Sequence, residues 1–241
     1  MIPLGKQNRY RAIYQDMPPG YKHSGSIYEG LVKLHLTPKA RVLDAGCGRG
    51  GVIELYAEKV GQAVGLDTDL TSLREHRCLE QLLVGSLTTM PFPGDLFDAV
   101  LCSWVVEHLE EPDAVFREIA RVLNKGGHLL LLTPNACGYP TLINRLLPAP
   151  LRRCLVRTVY GRQYKDTFPA FYRANSKGRL DAKLHRVGLR NEKFYHVGDP
   201  SYIAFNDAFF KLGVLLERLT DCPPLRPLKV YPVASYLKEE R

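Results

Sequence analysis

Residues 42 to 51 read Val-Leu-Asp-Ala-Gly-Cys-Gly-Arg-Gly-Gly, an apolar run that ends in an acid and breaks at once into glycines. Few folds can use such a segment. Glycines at 46, 48, 50 and 51 permit a strand-to-helix turn with positive φ and let bare backbone approach a ligand, which marks a nucleotide-type site in an α/β sheet. The acid narrows the ligand. Gly46, Gly48 and Gly51 also satisfy a G-x-G-x-x-G spacing, so a dinucleotide must be weighed. In a dinucleotide fold the pyrophosphate rests on this turn, and Asp44 would face its negative charge. Unit charges about 4 Å apart interact by roughly 1 to 4 kcal/mol between bulk water and a protein surface. That interaction opposes pyrophosphate and favours a cationic ligand such as the sulfonium and ammonium of S-adenosylmethionine.

Further segments follow in a fixed order. Ala63-Val-Gly-Leu-Asp67 is a second apolar run ending in an acid, and Met90-Pro-Phe-Pro93 precedes Phe97-Asp-Ala-Val-Leu-Cys102. Glu107-His-Leu109 then leads through Pro112 to Gly126-Gly-His-Leu-Leu-Leu-Leu-Thr133. On Leu43–Gly50 and these segments, covering about residues 36 to 134, the chain resembles the class I S-adenosylmethionine-dependent methyltransferases of the small-molecule type. The resemblance implies an α/β, Rossmann-like, doubly wound sheet of seven strands, mostly parallel with an antiparallel last strand. It also implies S-adenosyl-L-methionine as cofactor, held by Asp44, Gly46, Cys47, Gly48, Gly50, Asp67, Thr68, Ser86, Leu87 and Ser103, with Asp67 on the ribose hydroxyls. One departure stands out: the family usually shows Gly-Asp after the third strand, whereas this chain has Gly85-Ser86. A hydroxyl accepts a hydrogen bond more weakly than a carboxylate, and Ser86 reads equally well as a strand-end turn residue.

Strand signals fall at about 41–45, 62–67, 82–85, 97–102 and 127–133, with helices near 49–60, 70–80 and 112–124 between them. Pro112 suits a first helical turn and Gly126-Gly127 a helix stop. A further helix at 175–187 ends at Gly188, and strands near 190–197 and 229–237 flank the apolar stretch Tyr202 to Leu219. The resemblance implies that these last two strands form an antiparallel pair beside the parallel ones. The 241 residues, 45% hydrophobic, suffice for one methyltransferase domain. It divides into a donor-binding core at about 36–134, an N-terminal lid at 1–30, a substrate insertion at 135–173 and C-terminal sheet elements at 174–241. The lid is read from Tyr10, Tyr14, Tyr21, His23 and Tyr28, which exposed tyrosines packed on the core explain as well.

No apolar run is long enough to span a bilayer and no signal-peptide core is visible, so a cytoplasmic location is expected. The six cysteines, 47, 78, 102, 137, 154 and 222, form no C-x-x-C pair and have no His at ligand spacing. They read as reduced, mostly packed thiols, with no metal expected.

Methyl transfer needs the nucleophile in line with the sulfonium at about 3 Å in a dry site. An alcohol or phenol acceptor must also lose a proton, and His108 in the Glu-His pair is the best-placed base, against the alternative that it caps a helix or bonds to backbone. Glu107 reads as structural, His128 as the start of a buried strand and His35 as a surface residue of an early helix. His196 and Tyr172 stand as pocket candidates.

Charge is segregated. From Ile119 to Lys165 there is no Asp or Glu, while eight cations equal the chain's formal net charge of +8. Within residues 144–165, arginines interleave with leucines, as in helices that lie on anionic lipid or in a lid with solvated arginines outside. Nucleic acid is the third partner such a patch suggests. Against it, the turn after the fourth strand reads Ser103-Trp-Val-Val-Glu-His rather than the Asn-Pro-Pro-Tyr type, and no RNA-binding module is recognisable. The expected acceptor is therefore a small or lipid-linked metabolite, methylated at oxygen. The alternatives are a tRNA or other nucleic-acid methyltransferase and a noncatalytic binding subunit of the same fold.

Overall fold

The computed structural model describes residues 4–17, 21–146 and 169–239. Seven strands form one sheet: β1 (Arg41–Ala45), β2 (Gln62–Asp67), β3 (Gln81–Val84), β4 (Phe97–Ser103), β5 (Leu123–Leu132), β6 (Leu189–Val197) and β7 (Tyr231–Lys238). Their order is β3-β2-β1-β4-β5-β7-β6. β1 to β5 run parallel, and β7 lies antiparallel between β5 and β6. The expected sheet is thus the observed one.

Its central strands are apolar on both sides because helices cover both faces. The helices are α1 (Leu4–Gln15), α2 (Ser24–His35), α3 (Leu70–Glu75), α4 (Pro112–Val122), α5 (Tyr139–Leu146), α6 (Lys177–His185) and α7 (Asp207–Leu219). In α4, Pro112 occupies the first turn, and Val115, Phe116, Ile119, Ala120 and Val122 fall on one buried stripe. That stripe joins Leu43, Val100, Leu129, Leu180, Leu184 and Tyr236 on one face of the sheet. On the other face Tyr28, Leu31 and Val32 of α2 pack with Val42, Leu101, Leu130 and Val233.

Several boundaries differ from the sequence expectation, each for a local reason. Between β1 and β2 there are two short 3-10 turns, Val52–Leu55 and Ala57–Lys59, in place of a helix over 49–60. Gly50, at φ 128°, and Gly51 delay its start, and the chain then runs through these two turns to Gly61. α3 stops at Glu75 instead of residue 80 because His76 leaves helical geometry, its Nδ1 accepting from the amide of Cys78. Gly126-Gly127 do not end α4. The helix gives way to β5 at Leu123, and Gly126, at φ 75°, lies within that strand at a register irregularity against β4. Gly188, at φ 80°, follows α6 as expected.

The N-terminal segment is built around two contacts. His23 caps α2, its Nδ1 accepting from the amide of Gly25 at 3.1 Å. α1 docks against α7 and the turn Pro200–Ile203 before it, with Tyr10 stacked on Phe210 at 4.6 Å and Arg11 paired with Asp199, which caps that turn, at 2.7 Å.

Candidate active site

In the strand order β3-β2-β1-β4-β5 the chain reverses direction between β1 and β4, the place where an open α/β sheet leaves a crevice beyond its strand ends. A cavity of about 860 Å³ lies there. All eleven residues expected at the site line it: Asp44, Gly46, Cys47, Gly48, Gly50, Asp67, Thr68, Ser86, Leu87, Ser103 and His108. They converge because Asp44, Asp67 and Ser103 sit at the carboxyl ends of β1, β2 and β4.

The glycine turn is shaped by its neighbours. Gly46 has φ 77°, and a Cβ there would stand 2.4 Å from Val105, so both conformation and packing demand glycine. Gly48 has φ 51°, and a Cβ on it would meet nothing within 4 Å. Its exposed backbone faces open cavity. Asp67 holds the turn from the next strand: its Oδ2 accepts from the Gly48 amide at 2.8 Å, and its Oδ1 from the Asp69 amide at 2.8 Å. Asp69 in turn caps α3 through Thr71 and Ser72.

Asp44 is buried at the cavity wall. Burial, and secondarily the carboxylate of Asp67, push its pKa up from 3.8 to about 7, and among the described residues no cationic side chain offsets them. A buried acid of this kind awaits either a proton or a positive ligand. Cys47, beside it, has its thiol pushed up to about 12 chiefly by burial and next by Asp44, so it stays neutral packing against β2. Ser86 serves its turn, since its Oγ accepts from the Thr88 amide at 3.1 Å, while it also faces the cavity.

His108, which also lines the cavity, ends the short turn Val106–His108 after β4. Its Nδ1 lies 2.9 Å from the Pro169 carbonyl. A carbonyl only accepts, so this contact requires hydrogen on Nδ1 and leaves Nε2 as the basic nitrogen of the neutral ring. Nε2 is 3.9 Å from Glu107 Oε1. Glu107 itself is buried, its Oε2 accepting from Thr133 and its backbone carbonyl accepting from Phe171 and Tyr172, which makes it the anchor for the chain returning from the insertion.

Trp104 was not singled out by sequence. It lines the cavity, remains 44% exposed, sits edge-on to Tyr231 at 5.3 Å, and has φ 60°, a conformation rare for a bulky residue. No one-dimensional pattern announces a left-handed Trp. Of the N-terminal aromatic residues, Tyr28 reaches the cavity, while Tyr10, Tyr14 and Tyr21 cluster with Ala204 and Phe210. His196 and Tyr172 do not line it; His196 lies on β6 against Phe194. The basic segment 144–165 falls outside the described side chains.

A turn that offers bare backbone at Gly48, a carboxylate fixed by two backbone amides at Asp67 and a buried acid at Asp44 together fit a nucleoside carrying positive charge. Comparison with known proteins agrees. Residues 43–131 match the family model described as a methyltransferase domain. A demethylmenaquinone methyltransferase from Renibacterium salmoninarum is 32% identical over 162 residues, covering 59% of this chain and 68% of that protein. Phosphoethanolamine N-methyltransferase 1 of Zea mays is 31% identical over 134 residues, 51% of this chain and 26% of that protein. Among solved structures, the geranyl diphosphate C-methyltransferase of Streptomyces coelicolor superposes with a TM-score of 0.59 at 14% identity, over 94% of this chain and 86% of that one. The chain belongs to the class I S-adenosylmethionine-dependent methyltransferases, and S-adenosylmethionine is the family's donor. It spans 26 to 64% of the length of the first curated relatives it matches.

Proposed function

We propose that the protein transfers the methyl group of S-adenosylmethionine to an oxygen of a small or lipophilic acceptor, such as a sugar, a phenol or a lipid-linked saccharide. The observation that carries this reading is a single cavity lined both by Asp44, Gly48 and Asp67 and by His108. The donor supplies an electrophilic methyl on a sulfonium. Asp44 balances that positive charge, the Gly46–Gly50 backbone gives the methionyl end its space, and Asp67 holds the ribose. His108 Nε2 takes the acceptor's hydroxyl proton as the oxygen engages the methyl carbon. Trp104 gives the acceptor a flat apolar wall. The relatives' names, demethylmenaquinone and phosphoethanolamine methyltransferase, support a lipophilic or small acceptor over a nucleic acid. The test is donor calorimetry on wild type and Gly48→Val, followed by mass spectrometry of host metabolite extracts for the gain of one CH2. Absence of donor binding by the wild type would leave a noncatalytic fold member.

The acceptor reading extends to a peripheral contact with anionic lipid. It is supported by the outer face of α7, where Phe209, Leu212, Leu215 and Leu219 are exposed beside Lys211 and Arg218, and, from the sequence alone, by the four arginines 145, 152, 153 and 157. Each cation near an anionic surface contributes on the order of 1 kcal/mol, so the four arginines supply about 4 kcal/mol. Vesicles containing phosphatidylserine should sediment wild type at low salt and lose it when those arginines are Gln. Equal recovery of both proteins in the supernatant would remove the contact.

A further inference from the structure

Far from the donor cavity, three side chains from distant parts of the sequence meet on the face of the sheet that α2 covers. His35 ends α2, one turn beyond Leu31 and two turns beyond Tyr28, so it continues the stripe those residues bury. His128 lies on β5 with the alternation of Leu130 and Leu132, whose side chains pack on that same face. Glu192 arrives by a different device. On β6, Asn191 pairs with Tyr236 and Lys193 with Ser235, so Glu192 is an extra residue in a bulge, a feature that re-aims a side chain.

The result is compact. The His35 and His128 rings lie 4.0 Å apart at 32°, His128 Nε2 is 3.0 Å from Glu192 Oε2, and one ligand atom from each of the three residues falls within 4.8 Å of the others. Polar groups here lack partners. His35 Nε2 is buried without a hydrogen bond, and so is Ser235 Oγ on β7, next along the same face from Leu237, which is opposite His128. Buried polar atoms left unsatisfied in a cluster of good ligands call for an ion or a water.

We propose that His35, His128 and Glu192 form a binding site for a divalent transition-metal ion of the zinc type. Two imidazoles and one carboxylate suit zinc, nickel or copper, whereas calcium and magnesium prefer an all-oxygen set. Tetrahedral coordination with bonds of 2.0–2.2 Å places ligand atoms about 3.3 Å apart. The His128–Glu192 pair already meets that spacing, and rotation of the exposed Glu192 carboxylate and the two rings closes the rest. Water completes the fourth position. Lys193, the nearby cation, is exposed and can carry its ammonium into solvent on its flexible stem. The sequence expectation of no metal rested on local spacing, which cannot register ligands from three separate elements.

Such an ion clamps the carboxyl end of α2 to β5 and β6. Gly25 and Tyr28, in the opposite half of that helix, line the donor cavity, and at 1.5 Å per residue Gly25 lies about 15 Å from His35. The site is therefore structural, steadying the helix that helps to wall the donor.

The test uses the full chain after chelator treatment, titrated with zinc against a chromophoric chelator and with cobalt for the visible absorption of a four-coordinate ion. Wild type should take up one equivalent with a raised thermal midpoint. His35→Ala, His128→Ala and Glu192→Gln should each weaken binding more than about tenfold and abolish the thermal shift. Glu192→Gln alters an exposed residue, so it keeps the comparison valid if a histidine variant folds poorly. Wild type that fails to bind at micromolar zinc, or a Glu192→Gln protein that binds as tightly as wild type, would overturn the proposal and leave a stacked histidine pair.

Discussion

The proposed placement of the donor's positive charge beside Asp44 makes donor binding a proton-linked event. In the empty cavity its pKa is about 7, raised from 3.8 by burial first and by Asp67 second. A bound sulfonium and ammonium favour the carboxylate, so occupancy must drive the proton off wherever Asp44 starts protonated. At pH 5 it is about 99% protonated in the empty protein, and ionising it costs about 2.7 kcal/mol, a hundredfold in affinity relative to pH 8. The stability of the empty protein runs the opposite way. A group whose folded pKa lies above its unfolded value contributes stability that is complete below the unfolded pKa, here 3.8, and lost as pH rises through the folded value of about 7. The donor should therefore raise the melting temperature little at pH 5 and substantially at pH 8.

Calorimetry at pH 5, 6.5 and 8, in pairs of buffers with different ionisation enthalpies, counts the protons directly. About one proton should leave per donor bound at pH 5, falling towards none at pH 8. Asp44→Asn separates this from titration of the donor's own groups: it should bind more weakly than wild type at pH 8 with most of the pH dependence gone. Wild-type affinity that stays flat across this range, with no proton released, would refute both the placement of the donor's charge beside Asp44 and its raised pKa.

Other perturbations read other parts of the structure. Asp67→Ala removes the acceptor for the Gly48 and Asp69 amides as well as the proposed ribose contact, and donor affinity measured by calorimetry should fall by about 1.5 to 3 kcal/mol. His108→Ala should reduce turnover roughly a hundredfold or more while leaving donor affinity intact, whereas near-normal turnover with a lowered melting temperature would assign the ring to packing against Pro169. Glu217→Ala would leave the buried ammonium of Lys229 with only the exposed Asp221 as its ion partner and strip Tyr139 and the Asp199 amide of their Glu217 acceptor, so urea unfolding should show a loss of about 3 kcal/mol.

What could be read from the sequence follows from how local each signal is. Strands β1, β2 and β4 are short apolar runs whose ends carry Asp44, Asp67 and Ser103, and a parallel sheet with a reversal beside β1 brings such ends together. The glycine turn was legible because positive φ at Gly46 and Gly48 leaves a compositional mark. Features that depend on residues far apart were not. The lid reading of Tyr10, Tyr14 and Tyr21 rested on tyrosine density alone, whereas Phe210 and Ala204, some 200 residues later, supply the surface on which those rings pack. His35 read as a surface residue because its helix was seen without β5 and β6, yet its Nε2 is buried. Trp104 shows the same limit, since its left-handed backbone is held by the Leu132 carbonyl accepting from its amide at 2.9 Å, and its ring by Tyr231.

The arrangement of acids explains why this site tolerates poor local energetics. Asp44 and Asp67 end neighbouring parallel strands in a cavity where the carboxylate of Asp67 adds to the cost of ionising the buried Asp44, and among the described residues no cationic side chain compensates it. A sequence selected for stability alone would replace Asp44 with an apolar residue, as the buried Leu43 and Ala45 beside it illustrate. Asp67 has a structural use, because two backbone amides donate to it and fix the turn. Asp44 has none of that kind on the same scale. In the proposed donor site its burden is relieved when a cationic nucleoside enters, so stability forgone in the empty protein returns as donor affinity, and the acid marks the ligand's charge more specifically than the glycines mark its shape.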